Sequence, residues 1–191
     1  DKKYNVTKEK NIESKIAILL SKGKIVARMN GKMEFGARAL GNRSILANPT
    51  DQWVIRKIND QIKGRDFWMP FAPVILWERI GDYLINPKKF TSAFMMIGFE
   101  TKELAKMDLL GALHPYDFTA RPQLLTQVAN PKYYKILKEY EKITGRGGIL
   151  NTSFNLHGSP IVMSPQDALD TFENSGLEYL ALEDYLIVKK S

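Results

Sequence analysis

The sequence predicts an α/β (α+β) chain, a mixed sheet with helices packed on it. Two observations carry that reading. Short apolar runs of strand length, such as APVIL at 72–76 and GILNT at 148–152, are bounded by turn-forming residues. Longer stretches place apolar residues at helical spacing, and the two kinds are mixed without strict alternation. With 191 residues, 44% of them hydrophobic and 26% charged, the chain is long enough for one domain with a buried core.

Residues 1–10 read as a frayed end and 11–191 as a single domain. Residues 11–22 (NIESKIAILLSK) predict a helix, with Ile12, Ile16, Leu19 and Leu20 on one stripe and Gly23 as its stop. Residues 24–29 predict a strand. Residues 30–48 hold three glycines with little periodicity and read as loop. Pro49-Thr50-Asp51 opens a helix with Thr50 or Asp51 as its N-cap. Ile55, Ile58 and Ile62 line its apolar side, and Arg56, Asn59 and Lys63 share another face. Residues 72–76 and 94–99 (FMMIGF) predict buried strands, and 101–118 show no clear pattern. Residues 123–129 predict a further strand. Asn130-Pro131 starts a helix that runs to Thr144 with Gly145 behind it. Residues 148–152 predict a strand, followed by the loop SFNLHGSP. Ser164-Pro165 opens a helix closed by Gly176, and strands at 179–182 and 185–189 turn at Glu183-Asp184.

Composition excludes several chemistries. The chain has no cysteine, which removes disulfide scaffolds, thiolate nucleophiles, thiolate zinc sites and iron–sulfur ligation. Its two histidines, His114 and His157, are too few for a multi-histidine metal site. No apolar run approaches the ~20 residues needed to cross a bilayer, and DKKYNVTKEK lacks a signal-peptide core. The expectation is a cytoplasmic protein with no membrane partner.

The net charge of +7 is concentrated. Between Lys22 and Arg65 lie ten bases (Lys22, Lys24, Arg28, Lys32, Arg38, Arg43, Arg56, Lys57, Lys63, Arg65) against Glu34, Asp51 and Asp60. The rest of the chain balances. Such a segment suits either a solvated basic surface or a polyanion site, and its five arginines suit bidentate recognition of phosphate or carboxylate.

Four segments could carry chemistry. GKMEFGARALGNRS at 31–44 interleaves glycines with Arg38, Asn42, Arg43 and Ser44, so backbone N–H groups and guanidinium forks could face an anion. It is not a Walker A loop, and it also suits an ordinary basic loop with Glu34 paired to Arg38. Lys63-Gly64-Arg65 places two cations at a helix end, for gripping one phosphate or simply as favourable helix C-terminal charge. Asn151-Thr152-Ser153-Phe154-Asn155 follows a strand, a frequent ligand position in open sheets, though these are also common turn formers. A Ser153–His157 triad lacks any G-x-S-x-G context. Arg121, in TARPQ, could orient an anion or form a surface ion pair. Trp53, Trp68 and Trp77 suit packing more than base stacking.

Together the segments resemble a known family. GKMEFGARALGNRSILANP, INDQIKGRDFWMPFAPVIL, DFTARPQ and ILNTSFNLHGSPIVMSPQDALDTF, in that order, look like the C-terminal domain of the nodulation and antibiotic-tailoring O-carbamoyltransferases. More distantly, K-x-R, an arginine segment and S-x-N are similar to YrdC-like domains, with Lys63/Arg65 and Ser153/Asn155 on those motifs. The resemblance implies a twisted open mixed sheet with a basic concave face. It implies that carbamoyl phosphate and ATP, with Mg²⁺ carried by the nucleotide, give carbamoyl adenylate. It implies that a separate N-terminal, Kae1-like domain carrying the metal completes transfer to an acceptor hydroxyl. A chain of 191 residues looks like the C-terminal portion of such a protein. Lys63, Arg65, Arg121 and Ser153 are then expected to be catalytic. Arg28, Arg38, Arg43, Asn151 and Asn155 are expected to bind ATP or carbamoyl phosphate. Lys32, Ala37, His157 and Ser159 depart from the residues common in the family. A basic module that binds RNA through Trp53 or Trp68 without catalysis is the alternative, with nucleic acid the less favoured partner.

Overall fold

The computed structural model describes residues 3–64, 66 and 69–190. In chain order the strands and helices are β1 (Tyr4–Lys8), α1 (Ile12–Ser21), β2 (Val26–Met29), β3 (Arg43–Ala47), α2 (Trp53–Ile58), β4 (Ala72–Leu76), α3 (Ile80–Tyr83), α4 (Glu103–Asp108), β5 (Gln123–Leu125), α5 (Pro131–Thr144), β6 (Gly148–Ser153), α6 (Pro165–Glu173), β7 (Tyr179–Leu182) and β8 (Tyr185–Lys189). The described strands form one mixed sheet, ordered β1-β8-β7-β2-β3-β6-β4-β5. Pairing is parallel between β2 and β7 and between β4 and β5, and antiparallel elsewhere.

Period-two alternation sends successive strand residues into two apolar layers. Val26, Leu46, Ile149 and Ala181 pack with Ile16 and Leu20 of α1 and with Tyr133, Ile136, Leu137 and Tyr140 of α5. Ala27, Ile45, Leu150 and Leu180 pack on the other face with Ile58, Ile62 and Phe172. A third cluster joins Ile75 and Leu124 to Tyr83, Leu109 and Leu113.

The helix ends follow local capping chemistry. The Asn130 side chain accepts from the Tyr133 N–H, Pro131 opens the first turn of α5, and Gly145 closes it at φ 75°. Ser164 and Asp167 form a reciprocal capping box on α6. Ser164→Ala is expected to lower stability by about 1 kcal/mol, read as a shift of the urea midpoint at constant slope.

Several elements differ from the sequence expectation. Residues 4–8 are not frayed: Tyr4–Lys8 pairs in register with β8, and Tyr4 stacks near Phe172 at 6.0 Å between centroids. An edge strand is largely exposed, so burial left little pattern in its sequence. The loop at 30–48 contains β3, whose residues are all buried and therefore show no polar–apolar alternation. Residues 94–99 form no strand, only a single bridge from Phe99 to Ala120. Met95 adopts φ 56°, while Phe94 and Met96 are 64% and 75% exposed. The strand at 123–129 stops at Leu125.

The largest difference concerns the end of α2. Asn59–Lys63 forms a π-helical turn, closed by a bond from the Gly64 N–H to the Asn59 carbonyl at 2.8 Å, with Gly64 at φ 51°. The wider turn rotates Lys63 away from the solvent face it would otherwise share with Arg56. Arg56 is exposed and lies 3.8 Å from Asp60, whereas Lys63 is 1% exposed.

Candidate active site

The segment between β2 and β3 is organised by its own polar groups. The Glu34 carboxylate accepts from the backbone N–H of Leu40 at 2.8 Å and of Asn42 at 2.6 Å. Glu34 therefore anchors the loop backbone. A lone acid within a glycine-rich basic stretch is the signal that marks it in the sequence. The Ser44 hydroxyl accepts from the Gly41 N–H at 3.0 Å.

Two arginines expected at the ligand instead hold this loop. Arg28 is buried, donates to the Gly41 carbonyl and lies 5.8 Å from the centre of the Tyr133 ring. Burial pulls its pKa down to about 10, well above neutrality, so it stays charged. Arg43 is buried as well and donates to the carbonyls of Asn30, Gly31, Asn42 and Met163 at 3.0–3.2 Å. Burial lowers its pKa, opposed by Glu34 and Glu183. Strand alternation explains the separation, because Arg43 leaves β3 on the face opposite Ser44.

The remaining polar candidates converge. Arg38, Arg121, Asn151, Thr152 and Ser153 line one cleft of about 70 Å³, walled by Phe71, Ala72 and Met95. Asn151 sits opposite Ala72 of β4, and Ser153 opposite Ser44 of β3. The small neighbours Ala72 and Ser44 leave room above the sheet. Asn151 is 2% exposed and its amide donates to the Ala39 carbonyl at 2.9 Å. Arg121 donates to the Met95 carbonyl at 3.2 Å. Burial and, after it, the neighbouring charge of Arg38 lower the pKa of Arg121. Among the described residues neither guanidinium forms an ion pair with a carboxylate. Two like charges held at one small hollow favour an anion between them.

Lys63 reaches the end of β6 from the π turn. Its ammonium donates to Ser153 Oγ at 3.2 Å, to the Asn155 carbonyl at 3.1 Å and to Asn155 Oδ1. Ser153 Oγ in turn donates to Asn155 Oδ1 at 2.7 Å. The K-x-R lysine and the S-x-N pair, some 90 residues apart, thus meet in one network at the cleft. Ser153 is engaged with Asn155 and Lys63 rather than with His157. Arg65 and Trp68 lie outside the described residues. Trp53 is 60% exposed, with the Arg56 guanidinium 5.5 Å from its ring centre.

A larger hollow of about 510 Å³ lies beside Trp77, Leu84 and Pro87 and contains none of these residues. Among the described residues no cluster of three His, Asp or Glu could hold a metal. No described helix is long and apolar enough to cross a membrane.

Residues 17–189 match the family model described as carbamoyltransferase C-terminus. The chain belongs to this carbamoyltransferase family. It is 43% identical over 189 residues to an uncharacterized protein of Methanocaldococcus jannaschii, covering 99% of this chain and 36% of that protein. It is 30% identical over 165 residues to the 3'-hydroxymethylcephem-O-carbamoyltransferase of Amycolatopsis lactamdurans, covering 86% of this chain and 31% of that enzyme. The chain spans about a third of the length of the curated relatives it matches. Among solved structures, full-length HypF in a phosphate- and nucleotide-bound form aligns with TM-score 0.65 at 19% identity, over 98% of this chain and 22% of that one. Sua5 of P. abyssi, complexed with L-threonine, aligns at 0.63 and 17% identity, over 90% and 46%. At these identities the two structures establish the fold, an open mixed sheet of YrdC and Sua5 type.

Proposed function

We propose that this domain of a carbamoyltransferase binds carbamoyl phosphate and ATP and forms carbamoyl adenylate, for transfer to an acceptor hydroxyl by an N-terminal domain of the same protein. The observation that carries the reading is the meeting of Arg38, Arg121, Asn151 and Ser153 at one cleft, with Lys63 locked onto Ser153. The cleft suits a compact anion rather than a whole nucleotide, so Arg38 and Arg121 take the phosphate or carbamate and the adenosine lies outside it. Both substrates are polyanions, and attack on phosphorus gathers negative charge that preorganised cations stabilise without covalent catalysis.

The balanced reaction consumes carbamoyl phosphate, ATP and one water. Cleavage of carbamoyl phosphate releases inorganic phosphate and carbamate. A carbamate oxygen then attacks the α-phosphorus, and the bond from that phosphorus to the α,β-bridging oxygen breaks with release of pyrophosphate. Lys63 holds Ser153 and Asn155 in place, and Ser153 keeps a lone pair for a donor on the substrate. In this reading Mg²⁺ arrives bound to the triphosphate, whose oxygens supply its hard ligands. By resemblance Arg65 completes the grip on the triphosphate. Arg28 and Arg43 act on the substrate indirectly, by shaping the loop that bears Arg38.

The test is release of pyrophosphate from ATP, followed with carbamoyl phosphate present or omitted. Release that requires both substrates supports the reading. Binding of ATP and carbamoyl phosphate without any pyrophosphate, in this domain and in the full-length protein alike, refutes it.

A further inference from the structure

We propose that Gln123 is a positioning residue that sets Arg38 against Arg121 by clamping the loop between them. The inference rests on the reading above, that the cleft binds a carbamoyl phosphate-type anion.

The cleft presents a mechanical problem. Arg38 is exposed, carries its charge on a loop, and faces a second guanidinium with no described carboxylate to hold either. Before ligand arrives the pair repels, and a long exposed side chain would swing into water. Something must hold the loop down next to Arg38.

The backbone immediately after Arg38 shows what does so. Three successive carbonyls accept from side chains of three different strands. Ala39 accepts from Asn151 of β6 at 2.9 Å, Leu40 from the Gln123 amide of β5 at 3.1 Å, and Gly41 from Arg28 of β2. Gln123 pairs opposite Val74 and Asn151 opposite Ala72, so both amides rise from the same sheet face on either side of β4.

Stability alone does not account for an amide at position 123. Gln123 is 4% exposed, and its Oε1 has no hydrogen-bond partner among the described residues; Asn151 Oδ1 is in the same condition. A buried acceptor left unmatched is penalised, and an apolar side chain of the same length avoids that penalty. What the glutamine contributes is the N–H that pins Leu40. Gln123 also stands two residues after Arg121, at the start of β5. One strand end therefore places both guanidiniums: Arg121 through its own backbone, and Arg38 through the Gln123 bond to the loop.

The experiment measures binding of carbamoyl phosphate and of inorganic phosphate by calorimetry, at fixed low salt, to the wild type, Gln123→Met, Arg38→Ala and the double variant. Methionine keeps the length of the side chain and removes the donor. Gln123→Met is expected to weaken carbamoyl phosphate about tenfold, while its Tm stays within ~3 °C of the wild type. In the Arg38→Ala background it is expected to change affinity less than twofold, because its effect passes through Arg38. Wild-type affinity in Gln123→Met, or a full tenfold loss added to that of Arg38→Ala, overturns the proposal while leaving the proposed function intact. Absence of binding of either anion to the wild type overturns both. Should Gln123→Met melt too early to measure, Gln123→Leu gives the same comparison.

Discussion

On the proposed function, Arg121→Ala is expected to slow carbamoyl-adenylate formation by about 10²–10³-fold, the effect of removing one preorganised donor from developing negative charge. Arg121 faces the cleft, and its one internal bond among the described residues is to the Met95 carbonyl, so the loss is expected to fall on the reaction rather than on the fold. The Tm is expected to move by no more than ~3 °C. Arg121→Lys restores the charge but not the fork, and is expected to recover only part of the rate. Steady-state pyrophosphate release decides the matter. A rate within twofold of the wild type for Arg121→Ala would remove this residue from the chemistry.

Gly41→Ala is expected to destabilise the protein by about 3–5 kcal/mol, the sum of backbone strain and overpacking. Gly41 has φ 117°, which an L side chain rarely adopts, and an added Cβ would lie 2.2 Å from the buried Tyr133 ring. The same carbonyl accepts from Arg28, which lies against that ring. Relief of the clash therefore displaces the loop that carries Arg38, and anion binding is expected to fall with stability. Chemical denaturation measures the first effect and calorimetry the second. In a Tyr133→Ala background the steric part of the penalty should disappear and the φ part remain. A Gly41→Ala protein as stable as the wild type would show that the loop does not pack as described.

Elements governed by neighbouring residues were legible in the sequence. Asn130-Pro131 and Gly145 bound α5 because an N-cap, a preset φ and a left-handed glycine act within one turn. Ser164-Pro165 marks α6 for the same reason. The spacing of Lys63 and of Ser153 with Asn155 singled these residues out, and the fold joins them at 3.2 Å or less. The arginines were less legible. Arg28, Arg38, Arg43 and Arg121 are chemically alike, and their sequence contexts all suit an anion. Which one meets carbonyls and which meets the cleft depends on strand parity and on the path of residues 30–42 over the sheet.

By itself the sequence determined the family, the residue types at the cleft, the concentration of positive charge and the capped helices, because each of these is a property of residues close in the chain or of a motif read in order. Tertiary structure alone decided that β1 joins the sheet edge, that residues 94–99 do not form a strand, that a π turn carries Lys63 inward, and that two of four arginines serve the loop. The physical reason is that a guanidinium or a strand edge takes whatever partner the distant chain brings to it, and that partner is absent from its local sequence.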